Sequence, residues 1–365
     1  MPVVQHVNGF YPCPVPVSLT DEAAVFASGA LYRVDARMRA RRRELSGSIT
    51  QVVQTEGGIF ALTWARNGRA ELVTLDGELR VLGRRTLLRG GGVPLRELVD
   101  PRDMEDWRNQ MEFFLLTEED AVRLSFQTEP GGGAVTALIL ERTPLAGGET
   151  LRRVIGGPEI EAALGGDCKF GCLDVGTGGE TQMWACRDRV FLNVSLWEEK
   201  RPRRRDVLFR IDGDGSLAAL WDPPEGSGAL DGRACFFDFD RNLMWTLPRL
   251  GEEGYSPRPP YGLRARRIAS GAPVLRSLPA WENADCLFSY FDGRHAFFGE
   301  EGFLAAARDG RRSRAWPGEG AYPVVLWGKR LLLDLEGTGR PKAYPVRFNP
   351  VSGQELQWEE DVPSC

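Results

Sequence analysis

Seven times along this 365-residue chain an apolar stretch runs into a two- to four-residue polar turn and then into a second apolar stretch. The copies are Thr20-Asp21-Glu22-Ala23-Ala24-Val25-Phe26, Thr55-Glu56-Gly57-Gly58-Ile59-Phe60, Thr117-Glu118-Glu119-Asp120-Ala121-Val122, Cys186-Arg187-Asp188-Arg189-Val190-Phe191, Phe239-Asp240-Arg241-Asn242-Leu243-Met244-Trp245, Phe291-Asp292-Gly293-Arg294-His295-Ala296-Phe297 and Leu326-Trp327-Gly328-Lys329-Arg330-Leu331-Leu332. Each is a hairpin signal, because a short polar turn between two strand-forming runs reverses the chain and lets the runs pair. From one copy to the next the spacings are 35, 62, 69, 53, 52 and 35 residues, a mean of about 51. That is the length of one four-stranded propeller blade. The expected fold is all-β: a seven-bladed β-propeller of four-stranded antiparallel blades over residues 1–365, a single domain, with six or eight blades as the neighbouring counts.

Extending each hairpin gives four short strands, a to d, per unit. The second unit reads most cleanly, with strand a at 49–54, b at 59–65, c at 70–75 after Asn67-Gly68, and d at 78–82 after Asp76-Gly77. The Asn-Gly and Asp-Gly pairs are expected to supply the positive φ angles of tight hairpin turns. The blades are expected at about 10–47, 48–89, 109–155, 179–223, 232–278, 283–317 and 320–360. Residues 90–108 and 156–178 are insertions between strand d of one blade and strand a of the next. Each holds a short helix with proline near its start, Pro101 to Gln110 and Pro158 to Leu164. Two b-to-c connections are also long, Glu198 to Asp206 and Gly251 to Gly262. Both kinds of connection leave a propeller on one face, so the elaborations are expected to share it, and binding residues concentrate on such loops.

No apolar run approaches the roughly 20 residues of a membrane span, and the first residues lack the basic and apolar regions of a signal peptide. A soluble, cytoplasmic protein is expected, with no membrane partner. Seven cysteines are an odd number and too small a share for a disulfide scaffold. Acidic residues outnumber basic ones, 51 to 46, for a net charge of −5, which argues against bulk nucleic-acid binding. Within the basic set only Lys169, Lys200, Lys329 and Lys342 are lysine. Arginine excess favours bidentate contacts to carboxylate or phosphate.

The segments Leu31-Tyr32-Arg33-Val34-Asp35 and Leu208-Phe209-Arg210-Ile211-Asp212-Gly213-Asp214-Gly215-Ser216 resemble the Leu-Tyr-Arg-Ile-Asp, Asp-Gly blade consensus of bacterial β-propellers of uncharacterised function, distantly similar to YWTD and WD40 propellers. The resemblance covers blade-sized repeats and implies the fold. It implies no activity, because the chain has no Tyr-Trp-Thr-Asp block and no recurrent Trp-Asp.

Metal chemistry has little to build on. His6 and His295 are the only histidines. If Cys168-Lys169-Phe170-Gly171-Cys172 were extended, its two cysteines would stand about 13 Å apart, too far to chelate one ion. Asp212-Gly213-Asp214-Gly215-Ser216 resembles the start of a calcium loop but lacks the distal bidentate glutamate, and a strand turn needs the same residues. No metal and no cofactor is expected. Phosphate-loop, Gly-x-Ser-x-Gly, His-Glu-x-x-His and dinucleotide motifs do not occur.

The strongest charge feature is Lys200-Arg201-Pro202-Arg203-Arg204-Arg205, placed in the long b-to-c connection of the fourth unit. Clustered arginines hold acidic protein segments or phosphates by charge-assisted hydrogen bonds. Arg37 to Arg43, also basic, reads instead as an outer strand whose charge resists edge-to-edge pairing. Tyr255, Arg258 and Tyr261, in a proline-rich loop, and Trp107, in the first insertion, have interface chemistry. The partner-binding set is Trp107, Lys200, Arg201, Arg203, Arg204, Arg205, Tyr255, Arg258 and Tyr261. The expected function is a non-catalytic interaction or scaffold module for a protein partner. The alternative is an enzyme or binding protein for a small molecule or glycan, using a pocket in the central channel.

Overall fold

The computed structural model describes residues 4–6, 15–64, 69–89, 112–128, 135–165, 170–174, 182–186, 188–198, 201–221, 235–238, 242–246, 264–268, 273–275, 288–291, 295–298, 303–306, 312–314, 321–335, 341–345 and 357–358. The strands in chain order are β1 (Val4–His6), β2 (Val15–Leu19), β3 (Ala23–Ser28), β4 (Ala30–Asp35), β5 (Arg39–Arg43), β6 (Ser48–Thr55), β7 (Gly58–Trp64), β8 (Arg69–Leu75) and β9 (Val81–Arg89). They continue with β10 (Glu112–Leu116), β11 (Asp120–Thr128), β12 (Val135–Pro144), β13 (Leu151–Gly156), the helix α1 (Gly157–Ala163), β14 (Phe170–Asp174), β15 (Gln182–Cys186), β16 (Arg189–Glu198), β17 (Arg201–Ile211) and β18 (Leu217–Trp221). The rest are β19 (Cys235–Asp238), β20 (Leu243–Thr246), β21 (Arg264–Arg267), β22 (Pro273–Leu275), β23 (Phe288–Phe291), β24 (His295–Phe298), β25 (Phe303–Ala306), β26 (Arg312–Arg314), β27 (Ala321–Trp327), β28 (Arg330–Leu335), β29 (Pro341–Pro345) and β30 (Gln357–Trp358).

These strands form seven sheets among the described residues: β2–β5, β6–β9, β10–β13, β19–β22, β23–β26 and β27–β29 are antiparallel meanders of sequence neighbours, and in β14–β18 both β14 and β15 pair with β16. The fold class is that of an all-β propeller. Six of the seven repeated turns lie between the first two strands of a meander and the fourth lies between β15 and β16, closing the pairs Leu19↔Ala24, Thr55↔Gly58, Leu116↔Ala121, Cys186↔Arg189, Asp238↔Leu243, Phe291↔Ala296 and Trp327↔Arg330. Threonine builds three of these turns. The Thr20 hydroxyl accepts from the backbone N–H of Glu22 and Ala23, Thr117 does the same for Glu119 and Asp120, and Thr55 for Gly57. Such side chains satisfy turn amides that no strand can reach.

Two compact units are present, Met1–Leu45 with Arg233–Ile268 and Ala272–Cys365, and Ser46–Gly232 with Ala269–Gly271. In the second, the sheet β10–β13 is covered on both faces, because successive strand residues point to opposite sides. Leu116 and Ala121 pack with Phe60, Leu62, Leu72 and Leu145. Their neighbours Leu115 and Val122 pack instead with Leu140, Ile160, Leu192, Val207 and Phe209. Burial on both faces explains why inner strands such as β7 read as continuous apolar runs rather than alternating ones. In the first unit the strand pairs β2/β27 and β3/β27 are in contact, so the last sheet packs on the first.

Several boundaries differ from expectation. Glu198 and Arg201 to Asp206 are strand rather than loop: β16 and β17 pair from Val190↔Ile211 out to Glu198↔Arg201, with the register shifted where Pro202 and Arg203 fall. Proline is tolerated there because a bulge leaves its missing N–H without a ladder partner. The fourth sheet begins at β14 rather than near residue 179, since β14 and β15 both pair with the long β16. The second insertion does hold its helix, as α1 with Pro158 in the first turn. The fourth strand expected for the seventh sheet lies elsewhere: β30 pairs in parallel with β5, and β1 joins the fifth sheet through β19. Residues 90–108 and Asn67-Gly68 lie outside the described residues.

Candidate functional site

The third-to-fourth-strand turns share one geometry that the sequence conceals. Asp35 Oδ1 accepts from the N–H of Arg37 and Arg39 at 2.8 and 3.0 Å, and Oδ2 accepts from Arg39 Nε at 2.7 Å. Asp76 repeats the arrangement with Glu78, Arg80 and Arg80 Nε at 2.9, 2.9 and 2.7 Å. Three residues after each aspartate stands a buried apolar residue with left-handed backbone, Met38 at φ 66° and Leu79 at φ 60°. The expectation that Gly77 supplies the positive φ is therefore corrected. The turn is one step longer, and Leu79 takes that conformation so that its side chain can enter the core. In the fourth sheet Gly215, at φ 83°, holds the same position after Asp212.

The Asp35 and Asp76 carboxylates are held on the acidic side of an ordinary aspartate. Burial pushes Asp35 and Asp76 upward, but the backbone and guanidinium donors of Arg39 and Arg80 outweigh it and hold both below the usual aspartate value. Asp214, fully exposed, is lowered mainly by the Ser216 backbone N–H.

Among the described residues Arg142 on β12 is the most enclosed charge. Its side chain is 5% exposed, and Nη1 donates to Asp120 Oδ2 at 3.0 Å. Nη2 donates to the carbonyl oxygens of Asp188 at 2.7 Å and Asp212 at 3.2 Å. One guanidinium thus ties a turn of the third sheet to two turns of the fourth, while its Nε has no hydrogen-bond partner. A buried ion pair of this kind adds little net stability, but removing one member strands the other. The stretch with the calcium-like sequence is engaged in the same network. Asp212 Oδ2 accepts from Arg210 Nε and Nη2 at 3.1 and 2.9 Å, and Asp214 Oδ1 accepts from the Ser216 N–H at 2.8 Å. A Cβ at Gly213 would stand 2.8 Å from Asp188 Oδ2, so a larger residue there would make the partly exposed Asp188 side chain turn aside. Among the described residues no three His, Cys, Asp or Glu side chains gather as a metal site requires.

Of the expected partner-binding residues, Arg201, Arg203, Arg204 and Arg205 lie on β17. Trp107, Lys200, Tyr255, Arg258 and Tyr261 fall outside the described residues. Leu196↔Arg205, Trp197↔Arg204 and Glu198↔Arg201 place the arginines at the far end of the β16–β17 hairpin. On the other edge of β17, β18 pairs only with Leu208 to Ile211. From Arg201 to Asp206, β17 has a strand on one side alone among the described residues. β14 lies along the same end of β16, and α1 packs against β14. Sequence reasoning found the arginines but missed the strand edge they occupy.

Fold and site together define a propeller-class protein with an arginine-rich strand edge. No protein-family model and no curated protein matches the chain. Among solved structures it is similar to the β-propeller domain of the Trilobed protease from Pyrococcus furiosus, at 10% identity, 95% and 97% coverage of the two chains and a TM-score of 0.47. It is also similar to the AfRom2 CNH domain, at 11% identity, 93% and 97% coverage and a TM-score of 0.39. A third is the acylaminoacyl peptidase of Pyrococcus horikoshii, at 10% identity and a TM-score of 0.46, with 97% of this chain and 52% of that one covered. No activity, substrate or partner passes from these proteins to this chain. No described helix is long and apolar enough to cross a membrane.

Proposed function

We propose that this protein is a non-catalytic interaction module of the cytoplasm that binds an extended acidic segment of a partner protein along the Arg201–Asp206 edge of β17. The observation that carries the reading is the coincidence of four arginines with a strand edge that β18 leaves uncovered. An exposed edge offers a row of backbone donors and acceptors, so a peptide can add as a further strand. Arginines along it select carboxylate-bearing peptides through charge-assisted hydrogen bonds. The helix α1, packed against β14 beside the same end of β16, borders the proposed edge.

The test is fluorescence anisotropy with a short labelled peptide of alternating glutamate and valine. Wild-type protein should bind it saturably, more weakly as salt rises. R203E/R204E/R205E should weaken binding by about tenfold or more, while R37E, which changes charge elsewhere, should leave it unchanged. Absence of saturable binding, or equal binding by the triple variant, would overturn the reading.

A further inference from the structure

The open edge of β17 carries its charges in a fixed order. Along Arg204-Arg205-Asp206 two positive residues are followed by a negative one, and across β16 they stand opposite Trp197, Leu196 and Ser195, all uncharged. Backbone direction here follows from the turn that ends the strand. The Asp212 N–H donates to the Ser216 carbonyl at 3.0 Å, and the Asp212 carbonyl accepts from the Gly215 N–H at 2.9 Å, so both backbone groups of Asp212 face the β18 side. Successive residues of a strand turn these groups to opposite edges, and β17 pairs with β16 without a register shift from Ile211 to Arg204. Arg210, Leu208, Asp206 and Arg204 therefore face the β18 side as Asp212 does. β18 stands opposite Arg210 and Leu208 and ends there, with Trp221 paired to Leu208. Among the described residues no strand stands opposite Asp206 and Arg204 on that side.

We propose that Asp206 sets the register and direction of the segment that binds this edge: the segment adds antiparallel to β17, with a basic residue opposite Asp206 followed by acids opposite Arg205 and Arg204. The assignment rests on the reading of β17 given above and adds to it the sequence order that is recognised. An antiparallel occupant exchanges both backbone hydrogen bonds with Asp206 and both with Arg204, as the hydrogen-bonded pairs of such a ladder do. Every described strand pair in this sheet is antiparallel, so an occupant of that direction continues its pattern. Directly opposite residues share a face, where unlike charges stabilise and like charges destabilise. An acid opposite Asp206 is therefore disfavoured, although four arginines precede it in the strand. Because the two chains run in opposite directions, the recognised order from N- to C-terminus is base, acid, acid. β18 closes one end of the edge at Leu208, and the shift at Pro202 and Arg203 interrupts the ladder at the other. The segment thus spans only the positions opposite Arg203 to Val207.

Fluorescence anisotropy with two labelled peptides, Val-Lys-Glu-Glu-Val and Val-Glu-Glu-Lys-Val, tests this. Their composition and net charge are the same, so unspecific attraction to the arginines is equal. Wild-type protein should bind the first at least about threefold more tightly than the second. R204D/D206R, which exchanges the two charges and keeps the net charge, should invert that preference with unchanged far-UV circular dichroism, whereas a weakened fold lowers both affinities alike. Equal affinities in wild type, or a preference that survives the exchange, overturns the proposal and leaves the acidic-segment reading standing. A wild-type preference for the second peptide overturns it too, since that order fits a parallel strand. Failure of both peptides to bind overturns the proposal, and the reading of β17 with it if the glutamate–valine peptide also fails. The wild-type comparison needs no variant, so it decides the matter even if R204D/D206R does not fold.

Discussion

The indole N–H of Trp327 donates to the carbonyl oxygen of Thr20 at 2.6 Å, across 307 residues of sequence. It joins the first turn of the last sheet to the first turn of the first sheet. Arg330 reinforces the junction, its guanidinium 5.7 Å from the Trp327 ring centre and its Nη1 donating to the Ala36 carbonyl at 3.2 Å. A contact so remote in sequence forms against a large loop-closure entropy, so its partners must be well placed once the two sheets meet.

Trp327→Phe keeps an aromatic ring but removes the donor and leaves the Thr20 carbonyl without it. The expected loss is about 1–2 kcal/mol, read as a lower urea midpoint with an unchanged m-value. Arg330→Ala should cost less, about 0.5–1 kcal/mol, because part of that side chain is exposed.

Leu79 combines complete burial with a left-handed backbone. Leu79→Ala removes the packed side chain, at about 2–5 kcal/mol, and keeps the strained φ. Leu79→Gly loses the same packing but relieves a strain of about 1 kcal/mol. Equilibrium unfolding should therefore find the glycine variant at least as stable as the alanine variant, the reverse of the order in an ordinary strand.

Asp35 and Asp76 have folded-state values below that of an unfolded aspartate, about 3.9. Their contribution is present above that pH and is lost as pH falls through the lower folded values. Thermal melts of wild-type protein should lose stability below about pH 4. D35N/D76N should be less stable at pH 7 and show a flatter acid limb, and an acid limb as steep as wild type would count against these turns as its source.

The hairpins were legible because each first-to-second-strand turn is polar and short, and every copy falls on an observed hairpin. The third-to-fourth-strand turns were legible in place, at Asp76-Gly77 and Asp212 to Ser216, but not in conformation, because the residue with positive φ is Met38 or Leu79, chosen for burial, and apolar residues give no turn signal. The shared spacing of Asp35 to Arg39 and Asp76 to Arg80 was the available clue. Lys200 to Arg205 reads as a loop because proline and charge argue against a central strand, yet both suit a bulged strand with one open edge. Arg142 stands in a strand with nothing in its neighbourhood to mark it, since its partners come from turns 22, 46 and 70 residues away. β1 and β30 are too short to carry a pattern.

The most direct test of the proposed function is hydrogen exchange of the whole protein with and without the acidic peptide at saturating concentration. Backbone addition to β17 predicts slowed exchange in peptides covering 201–206, with β5 and β13 unaffected and the effect lost in R203E/R204E/R205E. Binding without protection at 201–206, or protection that persists in the triple variant, would contradict it.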